Sequence, residues 1–225
     1  MSRRFARVFL VGLFAVFLLV LPMNGQAVKT IAEKIEWTWE VTPDHPRLDL
    51  PNVLLVGDSI TRNYFPAVTK ELDGKANVYL FATSTSVGDS RLAAQLREFF
   101  AMENTHFRVI HFNNGMHGWG FTEQEYKAAF PALIGALHTD DPQAKLIWAN
   151  STPVGKDNPE GATNARVTVR NEIAASIVKH EGIPIDDQHE VIRQHPDQFS
   201  DDVHPNEAAS MIQGKQAAGM IEKLL

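Results

Sequence analysis

One short apolar run constrains the fold of this chain more than any other feature. Residues 53–56 read Val-Leu-Leu-Val, and Gly57 follows them. A strand that is apolar on both faces must be covered on both, which is typical of a parallel sheet between two layers of helices. Similar runs recur at about residues 76–82, 107–113, 145–149 and 183–186. The sequence therefore predicts an α/β fold, a three-layer α/β/α sandwich around a five-stranded parallel sheet.

Amphipathic stretches separate these runs and predict the helices. Thr122 and Glu125 have the spacing of a capping box, which marks the start of one helix. Gly182 and Pro184 mark the end of another. The helices are expected at about residues 61–74, 89–102, 122–138, 164–180 and 205–225.

The first 27 residues have the pattern of a secretory signal peptide. Three arginines lie within the first seven residues, the 14 residues from Val8 to Leu21 are apolar, and Gly25 and Ala27 precede a suitable cleavage site. The apolar run is short for a bilayer span of roughly 20 residues, although an uncleaved membrane anchor is the alternative. We expect an exported bacterial protein, periplasmic or extracellular, without stable membrane association after cleavage.

The rest of the chain divides into an extension and one domain. Residues 28–50 are expected to pack as an N-terminal extension on the domain of residues 51–225. Trp37 and Trp39 alternate within the extension. Large apolar residues in this pattern suggest an edge strand or a cover for the core, and a carbohydrate platform is the other interpretation.

Composition excludes several kinds of function. The chain has no cysteine, so disulfides, thiolate metal sites and a cysteine nucleophile are impossible. Its formal net charge is −6, and no basic cluster lies beyond the N-terminus, which argues against nucleic acid as a partner. The histidines near the C-terminus lack the spacing of a metal-ligand motif, and the loop after the first run lacks a dinucleotide fingerprint. We expect no metal and no cofactor.

Two polar clusters carry the elements of nucleophilic catalysis. The first run ends in Gly57-Asp58-Ser59, and the last predicted helix is preceded by Asp201-Asp202-Val203-His204. A serine hydroxyl needs a base to take its proton, and that base needs a third group to orient it. Each cluster alone is equally consistent with a helix cap, but together they predict a serine, histidine and aspartate set.

These two blocks resemble those of the SGNH (GDSL) hydrolases, an esterase and acylhydrolase family. The string from Pro51 to Ile60 is similar to the opening of that family, and the order of strands and helices agrees over roughly residues 50–225. The resemblance implies a flavodoxin-like sheet and no cofactor. It implies Ser59 as nucleophile, His204 as general base and then general acid, and Asp201 as the group that holds the imidazole.

The resemblance also implies an oxyanion hole, where the sequence departs from the family pattern. The family supplies the backbone N–H of the serine, here Ser59, a backbone N–H from a second block, and an asparagine side chain from a third. In the second block Gly88 is the natural candidate and Ser86 the alternative. In the third block His117 stands at the asparagine position, and imidazole also donates hydrogen bonds.

Several polar or aromatic residues remain as alternatives or as substrate contacts. Asn113 or Asn114 is an alternative third donor. The substrate-binding candidates lie in or beside the first and third blocks, or follow a predicted strand. They are Asp58, Asn114, Trp119 and Thr152.

The sequence therefore predicts a serine esterase that cleaves short-chain ester bonds, with acetyl esters of carbohydrates as the expected substrates. The expected partner is a small-molecule or polysaccharide ester, and the oligomeric state is left open. Two alternatives remain: an O-acyltransferase that uses the same residues, and a catalytically impaired carbohydrate-binding protein with the same fold.

Overall fold

The computed structural model describes residues 29–159 and 161–225, and the predicted signal peptide at residues 1–27 lies outside them. Six strands form one sheet in the described ranges, and six helices pack around it. The strands are β1 (Thr38–Val41), β2 (Asn52–Gly57), β3 (Asn77–Thr83), β4 (Val109–Phe112), β5 (Lys145–Ala149) and β6 (Ile185–Asp186). The helices are α1 (Ser59–Glu71), α2 (Arg91–Glu103), α3 (Glu123–Asp140), α4 (Asn164–His180), α5 (Gln188–Arg193) and α6 (Glu207–Glu222).

The sheet has the strand order β1-β3-β2-β4-β5-β6. All neighbours from β3 to β6 are parallel, while β1 pairs antiparallel with β3 at the edge. The α/β prediction and its parallel strands are thereby confirmed, and β1 adds an edge strand that contains Trp39. The order of the parallel strands is flavodoxin-like and reverses between β2 and β4, the point where such sheets bind ligands.

Strand β2 shows why the sequence signal was strong. Leu54 and Val56 pack into the cluster beneath α2 and α3, while Val53 and Leu55 pack on the opposite side beneath α1 and α6. Since side chains alternate along a strand, a continuous apolar run fills both clusters at once. All four side chains are at most 2% exposed.

Helix starts follow from local side-chain caps. The predicted capping box is present, because Thr122 and Glu125 each bond the other's backbone N–H. The last helix begins later than the expected first-turn position of Pro205. Pro205 pairs instead with Phe199 in an isolated antiparallel bridge, and Asn206 caps α6 by accepting from Ala209 N. Helix α5 was not predicted from the sequence. In the described ranges no helix is long and apolar enough to cross a membrane.

Candidate active site

A cavity of about 660 Å³ lies at the carboxyl ends of β2 and β4. Four segments form most of its wall: residues 31–37, the first turn of α1, the 116–120 loop after β4, and Val203 with His204 before α6. The cavity therefore lies at the point where the strand order reverses, and the extension forms one of its walls.

Ser59 enters this cavity from a tight turn between β2 and α1. A side chain at Gly57 would meet Thr61 Oγ1 at 2.0 Å, so only glycine fits where the strand turns into the helix. Asp58 caps α1 by accepting from Ile60 N at 2.9 Å, and Ser59 is the first helical residue. Its N–H is one of the first-turn groups that a helix does not satisfy internally, and the helix dipole favours negative charge beside it.

The structure brings Ser59, His204 and Asp201 together. Ser59 Oγ lies 2.8 Å from His204 Nε2, and His204 Nδ1 lies 2.8 Å from Asp201 Oδ2. When Nδ1–H donates to the carboxylate, Nε2 is left with a lone pair that accepts the Ser59 hydroxyl proton. The arrangement has the connectivity of a nucleophile, a base and a group that orients the base.

The loop that carries Asp201 and His204 holds them at fixed distances. Asp201 Oδ1 accepts the backbone N–H groups of Val203 and His204 at 2.8 and 2.7 Å. Ser200 donates its N–H and its hydroxyl to the His204 carbonyl. Partial burial acts to raise the pKa of Asp201, but these N–H groups and the imidazole outweigh it and lower that pKa. Asp201 therefore stays ionised beside His204.

A second carboxylate and imidazole pair lies in the same cavity. His117 Nδ1 lies 3.4 Å from Glu33 Oε1, and Gly118 N donates to the same oxygen at 3.1 Å. Trp37 packs edge-on against the imidazole, with ring centroids 6.0 Å apart. His117 thus lies between the extension and the 116–120 loop.

This contact changes the proton affinity of both partners. The hydrogen bond from His117 lowers the pKa of Glu33 against a smaller opposing effect of burial. Burial acts to lower the pKa of His117, but the hydrogen bond to Glu33 and the nearby carboxylates of Asp58 and Glu36 leave it raised. Both shifts favour an ionised pair. In the imidazolium form Nε2 carries a proton while Nδ1–H is bonded to Glu33.

Arg170 fixes the loop that carries His117. Its buried guanidinium donates to the carbonyls of Gly115 (3.1 Å), His117 (2.7 Å) and Gly118 (3.0 Å), and it lies 4.0 Å from the Trp119 ring centroid. Burial lowers the pKa of Arg170 to about 10, so it stays charged at neutral pH. A fourth hydrogen bond, to the Phe121 carbonyl, is longer at 3.4 Å. Together these bonds hold the backbone of the 115–121 loop in place.

The other predicted oxyanion residues lie elsewhere. Gly88 packs against the Phe121 ring and lines a separate cavity between α2 and α3. The alternative, Ser86, lies directly behind Gly118, a residue of the site wall. Asn113 donates its amide to Ala149 O at 2.6 Å and does not line the cavity of Ser59. The structure therefore supports His117 rather than Asn113 as the third-block side chain at the cavity.

Three of the four substrate-binding candidates are also placed away from this cavity. Asp58 is buried and caps α1. Asn114 pins the loop after β3, because its amide accepts from Val87 N at 2.7 Å and donates to Thr85 O at 3.0 Å. Thr152 is buried and lines a small neighbouring cavity of about 10 Å³. These polar side chains serve the fold, while Trp119 does line the site.

The sequence did not point to Glu33, Arg62 or Arg170 as members of this site. Glu33 and Arg62 line the cavity, and Arg170 supports its wall. Glu33 contacts His117, which is 84 residues away in the sequence, and no local sequence pattern predicts such a contact. For Arg170 the signal in the sequence is its position four residues after Arg166, a spacing that is also typical of surface arginines that pair with acids. In the part of the chain that the structure describes, no group of three or more potential metal ligands occurs.

Solved structures with the same fold are known, whereas no protein-family model and no curated protein matches the chain. A lipase/acylhydrolase from Enterococcus faecalis aligns with a TM-score of 0.62 at 15% identity, over 77% of this chain and 96% of that one. A GDSL-like lipase from Bacteroides thetaiotaomicron aligns with a TM-score of 0.59 at 15% identity, over 77% and 89%. A carbohydrate esterase family 3 protein from Talaromyces cellulolyticus aligns with a TM-score of 0.60 at 15% identity, over 78% and 98%. The chain therefore has the fold of the SGNH/GDSL hydrolases.

Proposed function

We propose that this protein is an exported serine esterase that cleaves short-chain esters through an acyl-enzyme on Ser59. The observation that carries the proposal is the continuous chain of hydrogen bonds from Ser59 Oγ through His204 to Asp201, at 2.8 Å in each step. This chain opens into a cavity large enough for a small ester. Export is proposed from the signal-peptide pattern of residues 1–27.

The geometry supports a two-step acyl transfer. Ser59 Oγ attacks the ester carbonyl carbon while its proton passes to His204 Nε2, and the tetrahedral intermediate collapses as His204 returns that proton to the leaving alcohol. Water then attacks the acyl carbonyl and loses a proton to His204. The bond from the acyl carbon to Ser59 Oγ breaks as His204 returns the proton to that oxygen, which releases the carboxylic acid and restores Ser59. Asp201 keeps the imidazole in the tautomer that accepts at Nε2 and stabilises its transient charge.

The oxyanion of both intermediates needs donors near Ser59. The Ser59 N–H at the start of α1 is one donor, since the helix does not satisfy it. The Nε2–H of the His117 imidazolium is the other, in place of the asparagine amide usual in the family. A charged donor stabilises an oxyanion more strongly than a neutral one. Glu33 keeps His117 in this form, which makes Glu33 a positioning residue rather than a catalytic one.

Acetyl esters of carbohydrates are the proposed substrates within this class. A cavity at the surface, bordered by Trp37 and Trp119, suits a compact acyl group on a larger polar alcohol. One neighbour in fold is a carbohydrate esterase by name, which makes this class the first to test.

Hydrolysis of 4-nitrophenyl acetate, butyrate and octanoate by residues 28–225 tests the proposal, with Ser59→Ala as the variant and intact-mass detection of the acyl adduct. We expect turnover that declines with chain length, an adduct on the unaltered protein, and a loss of at least about 10⁴-fold in kcat for Ser59→Ala. Ser90→Ala is the matched control, because Ser90 lies at the start of α2 without a side-chain cap. Turnover that survives in Ser59→Ala would overturn the assignment of the nucleophile.

A further inference from the structure

Arg62 lies beside the nucleophile in an unusual setting. It follows Ser59 by three residues on α1, so both side chains are on the same face of the helix, and both line the cavity. Its guanidinium carbon lies 5.5 Å from the ring centroid of Trp37 and 5.1 Å from that of Trp39. The two tryptophans at the sheet edge therefore hold a cation next to the reacting serine.

This guanidinium keeps its hydrogen-bonding capacity. Its contacts within residues 29–159 and 161–225 are with the two aromatic rings, and no hydrogen bond or ion pair engages it there. An arginine stacked on an aromatic face still presents N–H donors at the edge of its plane. The guanidinium groups of Arg166 and Arg170, in contrast, donate hydrogen bonds to backbone carbonyls of the 115–121 loop.

Among the described lining residues, the other charged groups do not pair with Arg62. Lys34 lines the rim, is exposed, and has no ion pair with any residue that the structure describes. Glu33, the carboxylate of the lining, is engaged by His117 and by Gly118 N. Among the described residues of the lining, Arg62 and Lys34 are thus two cations that face the cavity, in a protein whose formal net charge is −6. This local positive charge attracts anions.

We propose that Arg62, with Lys34 at the rim, binds a carboxylate of the substrate, so that the esters cleaved at Ser59 carry an acidic group near the ester bond. This inference rests on the proposed ester hydrolysis and names its substrate class. The guanidinium edge matches a carboxylate with two parallel hydrogen bonds. A uronic acid unit of an acetylated glycan presents such a carboxylate on the alcohol side, and a dicarboxylic acyl group presents it on the acyl side.

The tryptophans act differently from a simple sugar platform in this arrangement. One face of Trp37 and one face of Trp39 are covered by Arg62, so those faces orient the cation instead of stacking on a sugar ring. The rings also shield the guanidinium from water on one side, which strengthens its attraction for a charged group.

Two matched pairs of esters test the inference. The acyl-side pair is 4-nitrophenyl butyrate and 4-nitrophenyl hemisuccinate, and the alcohol-side pair is an acetylated methyl glucoside and the corresponding methyl glucuronoside. The readout is the ratio of kcat/KM for the acidic member over the neutral member. It is measured in the unaltered protein and in the variants Arg62→Gln, Arg62→Lys and Arg97→Gln. The last is the control, because Arg97 is exposed on α2, on the opposite side of the sheet from α1.

We expect the unaltered protein to favour the acidic member of one pair by about tenfold or more, as a charge-assisted hydrogen bond would give. The ratio should fall to about one in Arg62→Gln, be partly kept in Arg62→Lys, and be unchanged in Arg97→Gln. The favoured pair identifies the side that carries the carboxylate. A ratio near one for both pairs, or one that Arg62→Gln does not change, would overturn the inference even if the neutral esters are hydrolysed.

A binding measurement separates this inference from the proposed activity. Glucuronate or succinate is titrated into the Ser59→Ala variant and into the double variant Ser59→Ala/Arg62→Gln, with glucose as the uncharged control. Tryptophan fluorescence is the readout. A saturable change with either acid that disappears in Arg62→Gln supports the carboxylate site, even if no ester is turned over. No change with either acid contradicts it.

Discussion

The two carboxylate and histidine pairs at the cavity of Ser59 differ in almost every physical respect. Asp201 and His204 are three residues apart on one loop, and their side chains are 57% and 31% exposed. Glu33 and His117 are 84 residues apart, and the His117 side chain is 19% exposed. The first pair is a local structure at the surface, whereas the second forms only when the extension packs on the domain.

This difference suits the two histidines to opposite roles in the proposed mechanism. There His204 accepts the proton of Ser59, and its hydrogen bond to Asp201 leaves Nε2 as the acceptor. His117 is the proposed oxyanion donor; burial acts to lower its pKa, but the hydrogen bond to Glu33 and nearby carboxylates leave that pKa raised, which favours the imidazolium. The same two functional groups would therefore yield a base in one pair and a cationic donor in the other.

The largest expected effect is loss of the base. His204→Ala should reduce kcat by about 10⁴-fold or more, since Ser59 then has no group to take its proton. Steady-state kinetics on 4-nitrophenyl acetate measure the loss, with the unfolding midpoint as a check of integrity. His195→Ala is the control, and a residual rate above about 1% would contradict the role of His204 as the base.

His117→Ala should cost less, about 10²- to 10³-fold in kcat, because it removes one oxyanion donor and leaves the nucleophile and its base intact. His117→Asn restores the donor usual in the family and should recover part of the rate. If His117→Ala is as active as the unaltered protein, His117 is not an oxyanion donor and the comparison between the two pairs fails.

Asp201→Asn should reduce kcat by less than the roughly 10⁴-fold seen when a buried triad aspartate is replaced, since water around the exposed carboxylate weakens its influence. The matched control is Asp202→Asn, the neighbouring acid that makes no side-chain contact with His204. Equal effects of the two substitutions would show that Asp201 does not orient the base.

Glu33→Gln should give the smallest change in rate but a specific change in pH dependence. The rate is expected to fall at alkaline pH as His117 loses its proton. Without the Glu33 carboxylate, burial lowers the pKa of His117, and the alkaline limb of the kcat/KM profile moves to lower pH. Glu190→Gln is the control, and an alkaline limb that stays in place would show that Glu33 does not tune His117.

The sequence was sufficient for the sheet because its strands are covered on both faces. The apolar side chains of residues 53–56 can only be buried, and the proposed nucleophile follows β2 on a turn that requires Gly57. The pair of Asp201 and His204, the proposed orienting acid and base, was also predictable, since the two are three residues apart and lie before a helix.

The remaining parts of the site depend on contacts that no local pattern encodes. Asp58, Asn114 and Thr152 end strands or begin helices, where polar residues serve a fold as readily as a substrate, and the structure gives them buried positions. Glu33 belongs to the site only because β1 pairs with β3 and aligns the extension beside α1. The same pairing places Trp37 and Trp39 against Arg62. Sequence spacing alone does not show which strand joins a sheet edge.

The attachment of the extension to the sheet makes part of the site depend on contacts that are distant in sequence. Trp37 is hydrogen-bonded to Ser84 across 47 residues, and Glu33 to His117 across 84. Contacts of this separation form more slowly than local ones, so the extension is expected to dock after the more local contacts of the domain have formed. A chain that has folded its sheet but not docked the extension would keep Ser59 and both histidines. It would lack the Glu33 carboxylate beside His117 and the two tryptophans that hold Arg62.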